Sequence, residues 1–277
     1  MKRKKIMVYV LIFIGFVSIV FLIGKINLSI KFNRQVRELF SQSKNISNRK
    51  FSYEQLADLP APVQQYFKHV LKDGQPYISY IRLQHDGQFK TDLKKDWVNI
   101  KGEQYFTTEK PGFIWKGTTS MFVARDMYLA DEGRLIATIL STINVVDIHG
   151  KRQYNESELL RWLSESIWFP TNLLPSQNLQ WTAIDSLSAR LTFNYNGLSL
   201  FYIVRFNDKG EIVQMETKRY MDEKRLETWI IKPGKYREIN AVIIPTNAEV
   251  SWRLKEGDFS YAKFNVKTIE YNMPERF

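Results

Sequence analysis

The sequence predicts an α+β fold that consists mostly of antiparallel strands and is preceded by one transmembrane helix. From Pro76 onward, short segments rich in aromatic and branched residues alternate with turn residues, which is typical of an antiparallel meander. No series of alternating strands and helices of the parallel βαβ kind is present. The transmembrane helix is predicted because the 19 residues 6–24 carry no charge.

The uncharged run would cross most of a hydrocarbon layer roughly 30 Å thick, at about 1.5 Å per residue. The basic stretch Lys2–Lys5 precedes it, and positive charge is retained on the cytoplasmic side. We therefore predict an uncleaved anchor in the cytoplasmic membrane, with the N-terminus inside. A cleaved signal peptide and a buried core helix are the alternatives, but no small-x-small cleavage site follows Gly24.

The net charge of +11 is concentrated around this run. Residues 1–44 contain nine of the 40 basic residues and one acid, which leaves 31 bases and 28 acids in the rest of the chain. Such a distribution suits lipid headgroups and argues against a nucleic-acid-binding domain, which would carry a basic stripe. The chain contains no cysteine, which excludes disulfides and zinc thiolate sites.

Four regions are predicted: a cytoplasmic tip (1–5), the transmembrane anchor (6–24), a juxtamembrane stalk (25–50) and an extracytoplasmic β-rich domain (51–277). Apolar residues recur every four positions in the stalk, at Leu28, Phe32, Val36 and Phe40. The stalk therefore either continues the helix or lies on the membrane surface, and an irregular linker remains the alternative.

Two helices are predicted within the domain. The first lies in residues 52–72, where Ser52 and Gln55 form a capping-box pattern and Pro60 restarts the chain. The second is Glu156–Trp168 with Asn155 as its N-cap. A stripe on this second helix is expected to face the sheet, and it consists of Leu159, Trp162, Leu163, Ser166 and Ile167. The opposite side carries Arg161, Glu165 and Trp168.

Eleven strands are predicted, in two groups that the second helix separates. They are Tyr77–Lys90, Trp97–Thr107, Phe113–Thr118, Phe122–Ala130, Arg134–Ile139, Leu191–Tyr195, Leu198–Phe206, Ile212–Tyr220, Leu226–Ile231, Val250–Leu254 and Phe259–Tyr271. Several strands are apolar on both faces, so we expect both faces of the sheet to be covered. Ordinary two-layer packing would explain this, and so would a curved sheet that encloses an aromatic, apolar groove suited to lipids.

No catalytic motif is recognisable in the sequence. His69, His85 and His149 lack the spacing of metal ligands, and no nucleophile elbow, P-loop or dinucleotide fingerprint occurs. We expect no metal and no cofactor. Acidic residues are numerous, so a catalytic carboxylate pair remains open.

The segment 161–175, RWLSESIWFPTNLLP, followed by Trp181, resembles the signature of an uncharacterised bacterial family of domains of unknown function. Weaker similarities occur in the family's order at residues 59–66, 111–115, 219–220, 229, 244–245, 252 and 271–272. The resemblance covers about residues 57–272. It implies a fold and no activity: by analogy, a curved half-barrel similar to lipoprotein carriers, in which a long antiparallel sheet wraps around helices.

The family pattern includes Glu165 and Trp168, which the helical projection places off the core stripe together with Arg161. We predict these three residues as a contact cluster; a buried, purely structural ion pair is the alternative. The predicted ligand-binding residues are Arg161, Glu165, Trp168, Trp115 and Trp229. The favoured hypothesis is a tethered binding module that holds a lipid or other apolar molecule outside the cytoplasmic membrane. An envelope-acting hydrolase that uses a carboxylate, and a structural or interaction protein of the envelope, are the alternatives.

Overall fold

The computed structural model describes residues 2–92 and 94–277, without the side chains of residues 2–4. Most of the basic side chains on which the predicted orientation of the anchor depends therefore lie outside the described residues.

Helix α1 (Lys2–Ser41) joins the uncharged run to the domain without a break. Its side chains from Lys5 to Ile23 are exposed, and the helix is long and apolar enough to cross a membrane. The four-residue apolar repeat of the predicted stalk continues on this helix to its end. Phe32, Val36 and Phe40 of the repeat are buried against the β-rich domain.

Thirteen strands follow. They are β1 (Tyr80–Phe89), β2 (Val98–Thr107), β3 (Gly112–Thr118), β4 (Phe122–Leu129), β5 (Glu132–Ile139), β6 (Ile143–Ile148), β7 (Leu179–Asp185), β8 (Ser188–Tyr195), β9 (Leu198–Phe206), β10 (Ile212–Tyr220), β11 (Leu226–Ile239), β12 (Val242–Leu254) and β13 (Gly257–Tyr271). All pair antiparallel in one sheet of order β6-β5-β4-β3-β2-β1-β13-β12-β11-β10-β9-β8-β7. Two meanders are thus joined where the first strand pairs with the last.

The sheet curls until its two halves meet. The Tyr195 hydroxyl at the end of β8 donates to Asp131 in the β4–β5 turn at 2.8 Å, and Arg152 reaches the Gly197 carbonyl in the β8–β9 turn. In the sheet order, β4 and β8 are separated by eight other strands, so these contacts require strong curvature. The predicted fold class, a long curved antiparallel sheet with a few packed helices and an N-terminal apolar helix, is confirmed.

Helices α2 (Ala61–Val70) and α3 (Arg152–Glu165) lie on the concave face. The predicted capping box of Ser52 and Gln55 is present, on a short 3-10 helix before α2. The prediction that Asn155 caps the second helix is wrong. That helix begins at Arg152, four residues before the predicted start at Glu156. The Asn155 amide oxygen accepts a hydrogen bond from the Gly133 backbone N–H and is therefore not free to cap.

Helices therefore cover both faces of part of the sheet. On the convex face, the last turns of α1 pack against Tyr105, Ile114 and Met127. On the concave face, Trp162 of α3 packs against Phe193 and donates to the Thr107 carbonyl at 2.9 Å. This arrangement explains why strands β2 and β3 are apolar on both sides.

Candidate functional site

A cavity of about 710 Å³ lies between α3 and the concave face of the sheet. Its walls come from both meanders and from α3 along its whole length. Most of the lining is apolar, and the aromatic side chains that contribute to it are Phe89, Trp115, Phe122, Tyr154, Trp168, Tyr220, Trp229, Trp252, Phe259, Tyr261 and Phe264.

Trp115, on β3, is held in place by neighbours with little freedom to move. Its indole N–H donates to His85 Nε2 at 2.8 Å. A Cβ on Gly117 would overlap the Trp115 ring, and a Cβ on Gly102 would overlap the His85 ring. Glycine at these two positions therefore allows both rings to lie against the sheet, with Trp115 facing the cavity.

On the opposite wall, Trp229 is held by polar contacts. Its indole N–H donates to the Tyr261 hydroxyl at 2.9 Å. The Arg219 guanidinium lies 4.5 Å from the centre of the Trp229 ring, within the range of a cation–π interaction. Both walls of the cavity thus present tryptophan faces whose N–H groups are already satisfied.

A cluster of polar and charged side chains from α3 and from the facing strands lies within this apolar cavity. Arg161 donates from Nη1 to Asp126 at 2.5 Å and from Nε to Glu165 at 3.0 Å, and Gln104 donates to the second Glu165 oxygen at 2.7 Å. Burial opposes the charge on Arg161, but the carboxylates around it outweigh this effect and raise its pKa. Burial also raises the pKa of Glu165, against the effect of Arg161.

Glu158 joins the same cluster one helical turn earlier. Burial, followed by the charge of Asp126, raises the pKa of Glu158 well above its usual range. Its carboxyl lies within hydrogen-bonding reach of Asp126. Glu158 Oε2 and Asp126 Oδ1 are buried and have no other partner among the described residues. The raised pKa of Glu158 favours a proton on its own carboxyl group.

The cluster has no net charge once Glu158 carries this proton, because the guanidinium groups of Arg161 and Arg219 balance the carboxylates of Asp126 and Glu165. Arg219 donates to the Ser157 carbonyl and to Glu158 Oε1. Within residues 2–92 and 94–277, one terminal nitrogen of each arginine, Arg161 Nη2 and Arg219 Nη1, makes no hydrogen bond to protein.

The mouth of the cavity lies at one end of the strands. It is bordered by Lys90–Asp92 and Lys94 after β1, by Phe122 at the start of β4, by the β10–β11 turn from Met221 to Arg225, and by Gln153 and Tyr154 in the first turn of α3. Several of these residues are charged and exposed. The mouth is therefore polar and exposed to solvent, while the interior of the cavity is apolar.

All five residues predicted from the sequence to bind a ligand line this one cavity, namely Arg161, Glu165, Trp168, Trp115 and Trp229. The structure adds Asp126, Glu158 and Arg219 to the charged cluster. The sequence contained a signal for Asp126, since it lies between inward-facing Ala124 and Tyr128 on a strand whose inner face is otherwise apolar. Nothing in the sequence linked Glu158 to Asp126, because their contact depends on how α3 lies across the sheet.

The three histidines lie apart from one another. His85 supports Trp115 as described, and His69 on α2 lies 3.9 Å from Glu211. In the part of the chain that the structure describes, no three His, Asp or Glu side chains are grouped closely enough to hold a metal ion.

A model of a protein family described as a family of unknown function, DUF6544, matches residues 49–264. The match confirms the resemblance to an uncharacterised family that the sequence indicated. Among curated proteins, no match to the sequence was found.

Several solved structures are similar to this chain, including the following two. One is a LolA superfamily protein from Nitrosomonas europaea, with 11% identity, a TM-score of 0.38, and coverage of 78% of this chain and 94% of that one. The other is a putative outer membrane lipoprotein-sorting protein domain from Vibrio parahaemolyticus, with 8% identity, a TM-score of 0.40, and coverage of 70% and 86%.

Proposed function

Because this chain belongs to the family of unknown function DUF6544, whose membership assigns no activity, we propose a function from the cavity itself. The protein is a membrane-tethered binding domain that holds the apolar part of a lipid between α3 and the concave face of the sheet. The observation that carries the proposal is the apolar, aromatic-walled cavity of about 710 Å³. Its volume falls within the roughly 300–1,000 Å³ of pockets that enclose small molecules.

The charged cluster specifies the polar part of the ligand. Arg161 and Arg219 each retain a guanidinium nitrogen without a protein acceptor, and both side chains line the cavity. An ester, amide or phosphate oxygen would accept hydrogen bonds from these nitrogens, and charge-assisted bonds of this kind are the stronger ones. Because the cluster is already neutral, a ligand that bears an oxygen acceptor needs no net charge of its own. Trp115, Trp168 and Trp229 would contact the apolar part.

The geometry favours binding over a carboxylate hydrolase. Four of the six carboxyl oxygens of the cluster accept hydrogen bonds from protein donors: Glu165 from Arg161 and Gln104, Asp126 from Arg161, and Glu158 from Arg219. The other two, Asp126 Oδ1 and Glu158 Oε2, are buried. A general acid or nucleophile needs an oxygen directed at the substrate. These carboxyl groups are instead used to hold the two arginines.

Helix α1 supports the tether. Its exposed segment from Lys5 to Ile23 would be about 28 Å long at 1.5 Å per residue, close to the thickness of a hydrocarbon layer. We propose that this segment stays in the cytoplasmic membrane with the β-rich domain outside, in the orientation that the basic residues before it favour.

Photo-crosslinking tests the ligand proposal with the full chain. The protein is reconstituted into vesicles of phosphatidylethanolamine and phosphatidylglycerol that contain a phospholipid with a diazirine at the end of one acyl chain. After irradiation, crosslinked peptides are mapped by mass spectrometry. We expect crosslinks on the strands that carry Trp115 and Trp229, in addition to those on α1.

A matched pair of variants provides the control. Ala248→Trp fills the cavity, because Ala248 lines it, whereas Ala183→Trp adds the same side chain at an exposed position on β7. Crosslinks inside the cavity should be lost in the first variant and retained in the second. If crosslinks occur only on residues 6–23 in the wild type, the cavity does not take up an acyl chain and the proposal is wrong.

A further inference from the structure

The apolar segment of α1 leaves the domain beside the mouth of the cavity. Gly24 is the residue at which α1 meets the β5–β6 turn, and a Cβ placed on it would lie 2.9 Å from the Ser141 carbonyl oxygen. Phe122, at the mouth, pairs directly with Ile139, two residues before Ser141. With neighbouring strands about 4.8 Å apart, the mouth and the helix exit are roughly 10 Å from each other.

The turns at this end of the first meander expose apolar side chains. Met121 in the β3–β4 turn is 63% exposed, Leu140 in the β5–β6 turn is 60% exposed, and Ile143 at the start of β6 is 52% exposed. These three residues form an exposed apolar patch, the apolar rim. The first of them directly precedes Phe122 at the mouth, and the second directly precedes Ser141 at the helix exit. The apolar rim therefore connects the two features.

Leu140 occupies its position against two local preferences. It is exposed, and its φ of 48° is left-handed, as is the φ of 58° at Ser141. A left-handed conformation is unfavourable for a residue with a Cβ, and such hairpin turns favour Asn-Gly. The β8–β9 turn of the same sheet has that sequence, Asn196-Gly197. An exposed leucine at the tip of the β5–β6 turn does not serve the turn, and an apolar partner would account for it.

We propose that the apolar rim rests in the interfacial layer of the bilayer that α1 crosses, so that the mouth of the cavity faces the membrane. The inference builds on the proposed tether and names the partner of the mouth: a lipid surface. A lipid bilayer is the expected partner because the two apolar surfaces are continuous. The exposed apolar surface of α1 reaches Ile23, and the next residue, Gly24, lies against the β5–β6 turn that carries Leu140. Lys25 follows Gly24, and its long side chain would extend to the headgroup layer.

With the mouth beside the bilayer, a lipid has a short route from the outer leaflet into the cavity. A lipid that leaves the outer leaflet beside α1 would meet Phe122 and the β1–β2 loop without exposing its acyl chains to bulk water. The unfavourable exposure of the acyl CH₂ groups to water would thereby be avoided. The tether then holds the domain near the membrane and also orients its mouth.

Spin labels at single cysteines test the orientation, and the absence of native cysteine makes each label unique. Four full-length variants are reconstituted into phosphatidylethanolamine–phosphatidylglycerol vesicles: Phe13→Cys, Met121→Cys, Leu140→Cys and Met273→Cys. Met273 is the matched control, since it is an exposed methionine just after β13, at the opposite strand end. Collision rates with oxygen, which enriches in lipid, are compared with those of a water-soluble nickel chelate.

We expect oxygen collisions to dominate at 13 and the label at 273 to be accessible to the nickel chelate. The labels at 121 and 140 should lie between these two limits, with far less chelate accessibility than at 273. Chelate accessibility at 121 and 140 with a buried label at 13 would overturn the docked orientation and leave the tether intact. Chelate accessibility at all four positions would overturn the tether as well. Crosslinking inside the cavity is a separate readout, so failure of lipid binding would not be confused with either result.

Discussion

Trp115 donates its indole N–H to His85 Nε2, and the two rings are parallel to within 1°. Because Nε2 accepts this bond, the histidine is neutral and its proton lies on Nδ1, 3.4 Å from the Asp86 carbonyl oxygen. Burial lowers the pKa of His85 to about 4. A wall of the cavity is thus held by an imidazole that must remain uncharged.

The lowered pKa of His85 predicts that the folded protein loses stability in mild acid. The unfolded chain takes up the His85 proton near pH 6.5 and the folded protein only near pH 4. The stabilisation that comes from keeping His85 neutral is therefore complete above pH 6.5 and is lost as the pH falls toward 4. The difference corresponds to about 3 kcal/mol in the free energy of unfolding. It is measured by urea unfolding in detergent at pH 7.5 and pH 4.5.

His85→Gln is the control for this effect, because glutamine can accept the same hydrogen bond and does not titrate. The change in unfolding free energy between the two pH values should be smaller in this variant than in the wild type by about 3 kcal/mol. An equal change in both proteins would show that groups other than His85 cause the acid sensitivity.

Gly102→Ala should displace this pair of rings. The new Cβ would overlap the His85 imidazole, which has no space to retreat because Trp115 and Phe264 pack against it. We expect a loss of about 1–3 kcal/mol in the free energy of unfolding and a shift in tryptophan fluorescence. Gly15→Ala on α1 is the matched control, since nothing lies within 4 Å of its Cβ, and it should have no measurable effect.

Most of the sheet could be predicted because its strands alternate and its turns carry clear signals. The exceptions have physical causes. Strand β6 was missed because it lies at the edge with most of its residues exposed, and β7 because its second half is exposed and does not alternate between apolar and polar residues. Strand β11 was predicted to stop before Pro233-Gly234 but continues to Ile239. Pairing with β12 on one side and a left-handed Lys235 accommodate the proline.

The candidate site was predicted in part. The face of α3 that carries Arg161 and Glu165 was identified by helical periodicity, which depends on local sequence alone. Whether the pair lies on the surface or is buried depends on what packs over it, and here Asp126 and Gln104 come from strands more than 30 residues away. Contacts of this kind have no signature in one sequence.

Arg161→Met should be strongly destabilising, because it leaves Asp126 and Glu165 buried without their cation. Removing one partner of a buried ion pair typically costs about 3–5 kcal/mol. The exposed pair of Arg134 and Asp147 is the matched control, and Arg134→Met should cost about 1 kcal/mol or less. Both are measured by urea unfolding at neutral pH.

A second measurement separates the structural role of Arg161 from ligand contact. In the double variant Arg161→Met with Glu165→Gln, one buried charge is removed together with its cation, so part of the stability should return. The diazirine crosslinking inside the cavity should remain weak, since the donor at Nη2 is still absent. Full recovery of crosslinking along with stability would mean that Arg161 serves the fold alone.

The packing of α1 on the convex face predicts which fragments of the domain are stable without the membrane anchor. The second half of α1 buries Phe32 and Val36 against Tyr105 and Ile114, so a fragment that starts at residue 45 would expose this surface, whereas one that starts at residue 25 would keep it covered. The longer fragment should unfold at higher urea concentration. Phe32→Ala within it should cost about 3–5 kcal/mol, and Ile30→Ala, at an exposed position of the same helix, less than about 0.5 kcal/mol. Equal stability of the two fragments would mean that residues 25–44 contribute only a connection to the membrane.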